Sequence, residues 1–185
     1  MISANPCERG GRRYVVDRED KIWREQDIAA LLTVASQDIR LALMLALWTG
    51  EQQGDLLRLP WSGCDGSTVC LRQGKTGRRV VMPAGAPLKA LLDATEDGGP
   101  LTNSLDRPWT SDGFRTPWGI ACERTGVTGL TFHDLRGTAV VRLAIAGATV
   151  PQIAGFTGHS LRDVEGHTRC ALSLAATFGS LRLPF

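Results

Sequence analysis

The sequence predicts a mainly α-helical domain carrying one small antiparallel β-hairpin. Three observations lead there. Apolar residues recur at helical spacing, as at Ile28, Leu31, Leu32 and Ala35. Strand-like runs stand at 67–72 and 78–82 with glycines between them. The chain has 185 residues, 43% hydrophobic and 22% charged, enough material for a core without disulfides or structural metal.

Taken in order, residues 1–22 carry Gly10-Gly11 and charges of both signs, and read as a leader or linker stub that packs little. The domain itself is expected over 23–185. A first helix starts at Arg24, and a second runs over 38–47 to end at Thr49-Gly50; the second is apolar nearly all round and should be central. A short third helix, 55–59, is stopped by Pro60. In the hairpin, Gly74 and Gly77 suit a turn that needs positive φ, which puts Lys75 at its tip. Residues 87–95 look helical and 96–108 read as a loop. Thr110 or Ser111 caps a helix to Arg124, just before Gly126. Another helix begins near His133 and ends at Ala146-Gly147; a shorter one, 150–156, leads into Thr157-Gly158-His159-Ser160. There is no internal repeat and no low-complexity segment.

Composition excludes several classes. The longest apolar run, 41–48, is far short of the roughly 20 residues that span a bilayer, and the N-terminus has no apolar secretory core, so a cytoplasmic protein is expected. Five scattered cysteines without a Cys-x-x-Cys pair argue for reduced thiols. Net charge is only +2, yet 66–92 holds Arg72, Lys75, Arg78, Arg79 and Lys89 with no acidic residue. Such a one-signed stretch is either a solvated face or a polyanion contact, with nucleic acid the leading polyanion. Only three of the 21 basic residues are lysine, which fits bidentate phosphate recognition and equally fits a GC-rich genome.

Four positions carry candidate chemistry. His133 and Arg136, three apart at a helix start, share one face beside N–H groups open to an anion, and together could stabilise charge on phosphoryl oxygens. Lys75 at the hairpin tip could contact a phosphate or protonate a leaving hydroxyl. His159, in a tight turn, could donate to a phosphate oxygen or cap the helix starting at Leu161. The letters Gly74-Lys75-Thr76 are not a P-loop, because Val69 stands where that motif needs glycine and a strand follows instead of a helix. His167-x-x-Cys170 is the only metal-like spacing, and no partner pair accompanies it.

Taken together, Leu47-Trp48-Thr49-Gly50, the hairpin Gly74-Lys75-Thr76-Gly77, the string from Thr131 to Ala139 (TFHDLRGTA) and that from Thr157 to Val164 (TGHSLRDV) resemble the catalytic domain of tyrosine recombinases, the phage-integrase family. The resemblance runs from about residue 24 to 164, and the His-x-x-Arg with a downstream Gly-His-Ser is its specific part. It implies the DNA breaking-rejoining fold, which clasps double-stranded DNA beside a core-binding domain that these residues do not include. It also implies strand cleavage and rejoining through a phosphotyrosine, without metal or nucleotide cofactor. Lys75, His133, Arg136 and His159 would then be catalytic, with Arg72, Lys75, Arg78, Arg79, Arg136 and Arg142 contacting DNA.

Three positions depart from the pattern. Gly137 stands where many relatives carry a second histidine. Gln52 stands where the family's first arginine belongs, and a neutral amide cannot form the charged fork. No tyrosine follows His159; the single tyrosine, Tyr14, would have to fold back or act on a neighbouring protomer, and His167 is the remaining nucleophile candidate. The tail, 165–185, no longer looks family-like, as a frameshift would produce. An integrase or site-specific recombinase domain with impaired cleavage is therefore expected, forming a homo-oligomer on DNA or associating with an intact recombinase. The alternative is a non-catalytic DNA-binding or partner-binding remnant that occupies the sites of an intact relative.

Overall fold

A computed structural model describes residues 18, 20–95, 101 and 107–178, with side chains as far as residue 169. The elements are α1 (Glu25–Val34), α2 (Gln37–Thr49), α3 (Gln53–Leu56), a 3-10 turn (Trp61–Gly63), β1 (Thr68–Arg72), β2 (Arg79–Pro83), α4 (Ala86–Asp93), α5 (Ser111–Thr125), α6 (Asp134–Ile145), α7 (Val150–Thr157) and α8 (Leu161–Phe178). The mainly helical class with one antiparallel hairpin is what the sequence predicted.

The apolar second helix is indeed central. Ile39, every residue from Leu41 to Leu47, and Thr49 are buried, and α2 packs against α6 and α4. Each large side chain taken out of water there contributes about 1.5–3 kcal/mol. The helix stops where Gly50 takes the left-handed conformation, φ 63°, and returns its N–H to Ala46. A second aromatic layer holds Trp23, Phe114, Trp118 and Phe132 with ring centroids 4.8 to 5.9 Å apart. Trp23 also donates its indole N–H to Thr131 O and its backbone N–H to Thr138 Oγ1, so the start of the domain is locked onto α6.

The two strands pair from Thr68 opposite Pro83 to Arg72 opposite Arg79. Val69, Leu71, Val80 and Met82 face the core, which leaves Arg72 and Arg79 opposite one another on the exposed face. Among the described residues no helix is long and apolar enough to cross a membrane.

One expectation changes and two gain detail. The third helix is a single turn over Gln53–Leu56, because Gln52 is its N-cap and its carbonyl accepts the N–H groups of Asp55 and Leu56. Leu101, inside the segment expected to be a loop, is buried in the core. The helix expected to start at Leu161 is the 18-residue α8, which packs on α6 and α7 and continues through the stretch that departs from the family pattern.

Candidate functional site

Five sequence segments meet at a cleft of about 850 Å³, one of them bringing Arg18 and Lys21. The end of α2 brings Glu51 and Gln52, the hairpin turn brings Gln73, Lys75 and Thr76, the start of α6 brings His133, Arg136 and Gly137, and the α7–α8 turn with α8 brings His159 and His167. Lys75, His133, Arg136, His159, Gln52 and His167 therefore all line one space. Arg72, Arg78, Arg79 and Arg142 do not line it. The first three are exposed on the hairpin, where Arg72 Nε donates to Gly77 O and Arg79 Nε to Cys70 Sγ. Arg142 lies near the other end of α6, its side chain 15% exposed and 3.6 Å from Glu25. It pairs with α1, away from the cleft.

Arg136 is the centre of the arrangement. It is buried, donating Nη1 to Gly50 O and Nη2 to Thr157 O, with Glu51 Oε2 3.9 Å away. Burial lowers its pKa, and Glu51, Asp55 and Asp163 oppose that shift; an arginine in such surroundings stays charged. It is thus a core guanidinium opening onto the cleft. The helix start beside it is not a set of free donors. The N–H groups of Asp134, Leu135 and Arg136 are already given to the carbonyls of Thr131, Phe132 and His133, so side chains supply what the helix terminus was expected to supply.

Two imidazoles of the cleft, His159 and His133, are disfavoured in their charged form. Burial, with Arg136 and His167 close by, pushes the His159 pKa down to about 3. Burial and Arg136 lower that of His133 as well. Nδ1 of His159 lies 2.7 Å from Thr157 Oγ1, whose own hydroxyl proton goes to Ile153 O. His159 must therefore donate from Nδ1, leaving the lone pair on Nε2. In this form Nε2 carries the lone pair, and donating from it to a phosphate requires the ring to be protonated. The ring does not cap α8: Ser160 Oγ accepts the Asp163 N–H.

His167 reaches the cleft because Gly137 has no side chain. A Cβ at Gly137 would stand 2.5 Å from His167 Cε1 and 3.0 Å from Nδ1. The ring meets His159 edge-on at 6.1 Å, and no donor or acceptor among the described residues reaches its Nδ1. Tyr14 lies outside the described residues.

Sequence reasoning missed the supporting polar groups. Gln73 Nε2 donates to Glu51 Oε1 at 2.7 Å, and Thr76 Oγ1 donates to Gln73 Oε1 at 2.6 Å. Asp55 Oδ1 accepts from the Gly74 N–H and from Arg58 Nη2. Arg18, from the segment expected to pack little, donates through Nε and Nη2 to the buried Asp134, which also accepts from the Thr131 N–H and hydroxyl. In a sequence these are ordinary polar letters; only the fold brings them together. Three of the four carboxylates lining the cleft (Glu51, Asp55 and Asp134) are buried and bonded, leaving Lys75, Lys21 and Arg162, with Asp163 against them, to set its outward charge. Among the described residues no group of three or more His, Cys, Asp or Glu side chains could hold a metal ion.

Comparison with known proteins bears on what such a cleft is for. Residues 21–164 match the model of the phage integrase family. The chain is 32% identical over 121 residues to a shufflon-specific DNA recombinase of Escherichia coli, covering 62% of this chain and 30% of that protein. It is 38% identical over 53 residues to an integrase of Escherichia phage HK022, covering 29% of this chain and 15% of the relative. The chain thus spans less than a third of these curated relatives. XerA recombinase superposes with a TM-score of 0.68 at 16% identity, over 91% of this chain and 66% of that one. A lambda integrase dimer bound to a COC′ core site gives 0.63 at 21% identity, over 86% and 48%.

Proposed function

The chain belongs to the phage integrase family, and from that premise we propose that its cleft engages a phosphodiester of double-stranded DNA as the catalytic-domain portion of a site-specific recombinase acting in DNA integration and recombination. The observation that carries the proposal is the convergence of Lys75, His133, Arg136 and His159, from three separate parts of the chain, on one cleft. In this reading Arg136 and Lys75 hold the phosphate oxygens electrostatically, and His133 lies against them. His159, unprotonated at Nε2, takes the proton of the hydroxyl that attacks the phosphorus. Arg72, Arg78 and Arg79 hold the flanking backbone. Arg72 and Arg79 face one another across the ladder, a like-charge pair that costs stability unless an anion lies over it.

Strand cleavage is impaired in this reading. Gln52 supplies no charge, and a missing charged contact of this kind typically costs several orders of magnitude in rate. No tyrosine follows His159. His167, the remaining nucleophile candidate, is held edge-on to His159 in the gap over Gly137. The solved relatives include a dimer on DNA, and we assign this chain homo-oligomers on DNA and a cytoplasmic place of action. Association with an intact recombinase, whose sites it would occupy without cutting, is the reading favoured if Gln52 and the missing tyrosine leave binding intact.

Titration of labelled duplex across salt tests the binding. Contacts from Arg72, Lys75, Arg78 and Arg79 predict a log–log slope of roughly −3 to −4, at about −0.9 per phosphate neutralised. A flat response sinks the nucleic-acid reading. A nicked suicide duplex tests the cleavage: no covalent protein–DNA band is expected. A robust band would overturn the impairment, and its loss in His167→Ala would name the nucleophile.

A further inference from the structure

One buried amide touches three of the segments that build the cleft. Gln73 is 5% exposed. Its Nε2 donates to Glu51 Oε1, next to Gly50 and Gln52, and its Oε1 accepts from the hydroxyl of Thr76, the neighbour of Lys75. Its face lies on Gly158, the residue before His159, so closely that a Cβ there would overlap the amide. Its backbone closes the same turn: Gln73 N–H goes to Arg78 O, and Gln73 O accepts the Gly77 N–H. The other oxygen of Glu51 faces Arg136 Nη1 at 3.9 Å. A continuous polar path therefore runs from Arg136 through Glu51 and Gln73 to the turn that carries Lys75.

The path explains an otherwise odd arrangement. Lys75 sits on an exposed turn, where a long side chain has wide conformational freedom and a poorly defined aim. Asp55 fixes one side of that turn through the Gly74 N–H. The Gln73 side chain fixes the other. Its two bonds fit only an amide at 73: a carboxylate could not donate to Glu51, and an apolar side chain could neither donate there nor accept from Thr76.

We propose that Gln73 is a positioning residue: by bridging Glu51 and Thr76 it aims Lys75 at the phosphate held by Arg136. This rests on the phosphodiester reading above, so one arm of its test does not need DNA. In native-state hydrogen exchange the Gly74 and Gly77 amides should be protected in the parent chain and exchange at least tenfold faster in Gln73→Leu. Thr76→Val, which removes one bond and leaves Glu51–Gln73 intact, gives the same sign should Gln73→Leu unfold. Unchanged protection in the folded variant overturns the bridge.

The second arm asks whether the bridge acts through Lys75. Lys75→Ala should reduce the magnitude of the salt slope of DNA binding by about 0.9, one phosphate contact. Gln73→Leu, or Thr76→Val in its place, should lose a comparable part of that slope, and combining it with Lys75→Ala should lose no more than Lys75→Ala alone. A merely structural residue would lower affinity without this dependence on Lys75, so additive losses overturn the positioning role. If the parent chain shows no salt slope, the phosphodiester reading fails, while the exchange arm still decides the bridge.

Discussion

A histidine held neutral by its surroundings reports on those surroundings when the pH falls. His159 is pushed down to about 3 in the fold, against about 6.5 in an unfolded chain. Between those values only the unfolded chain takes up the proton, so folding stability is full above pH 6.5 and is lost as the pH drops toward 3. His133 is shifted in the same direction. Urea unfolding of the parent chain and of His159→Gln should diverge by roughly 1 kcal/mol per pH unit between pH 6 and pH 4, the parent having the steeper fall. Parallel curves would show that His159 is not desolvated as described. The same neutral ring predicts that phosphate, by adding negative charge nearby, raises the His159 pKa on binding.

Among the elements, the turn between α7 and α8 combines positive φ with close packing. Gly158 has φ 69° and lies on the Gln73 amide; Gly126, at the end of α5, has φ 71° but open space around it. Both strain an L-residue equally, so the two positions separate backbone cost from crowding. Gly126→Ala should destabilise by about 1 kcal/mol and Gly158→Ala by about 2–4 kcal/mol, read from urea midpoints. Equal losses would mean that Gln73 yields without penalty. These elements also show where the sequence was informative. Helix ends marked by Gly50, Gly126 and Gly158, the apolar α2 and the hairpin alternation could all be read locally, because capping and periodicity are short-range. The motif residues Lys75, His133, Arg136 and His159 were legible through their resemblance to a family. The Glu51–Gln73–Thr76 bridge and the Arg18–Asp134 pair were not, because they join residues 22 and 116 positions apart and no local rule selects such partners. The pairing of Arg142 with Glu25 on α1 was hidden for a related reason, since nothing local links the two.

At the level of the whole molecule, the cleft rests on contacts between segments far apart in the chain. Trp23 is the clearest tie. It is 2% exposed, fills the aromatic layer beneath the start of α6 and is bonded to both Thr131 and Thr138. Trp23→Ala should therefore cost about 3–5 kcal/mol of folding stability, measured by denaturant unfolding. A loss under 1 kcal/mol would mean that the segment before α1 is not part of the cooperative core.

Arg136 has a consequence for how this protein is tested. Its guanidinium joins the last carbonyls of two helices, Gly50 after α2 and Thr157 in α7, from a third, α6. Removing it leaves those carbonyls and Glu51 buried without their cation, a loss of several kcal/mol that has nothing to do with DNA. A substitution at this arginine is then a folding mutant first and a binding mutant second. Lys75→Ala, on an exposed turn, is the substitution whose effect on DNA can be read at face value.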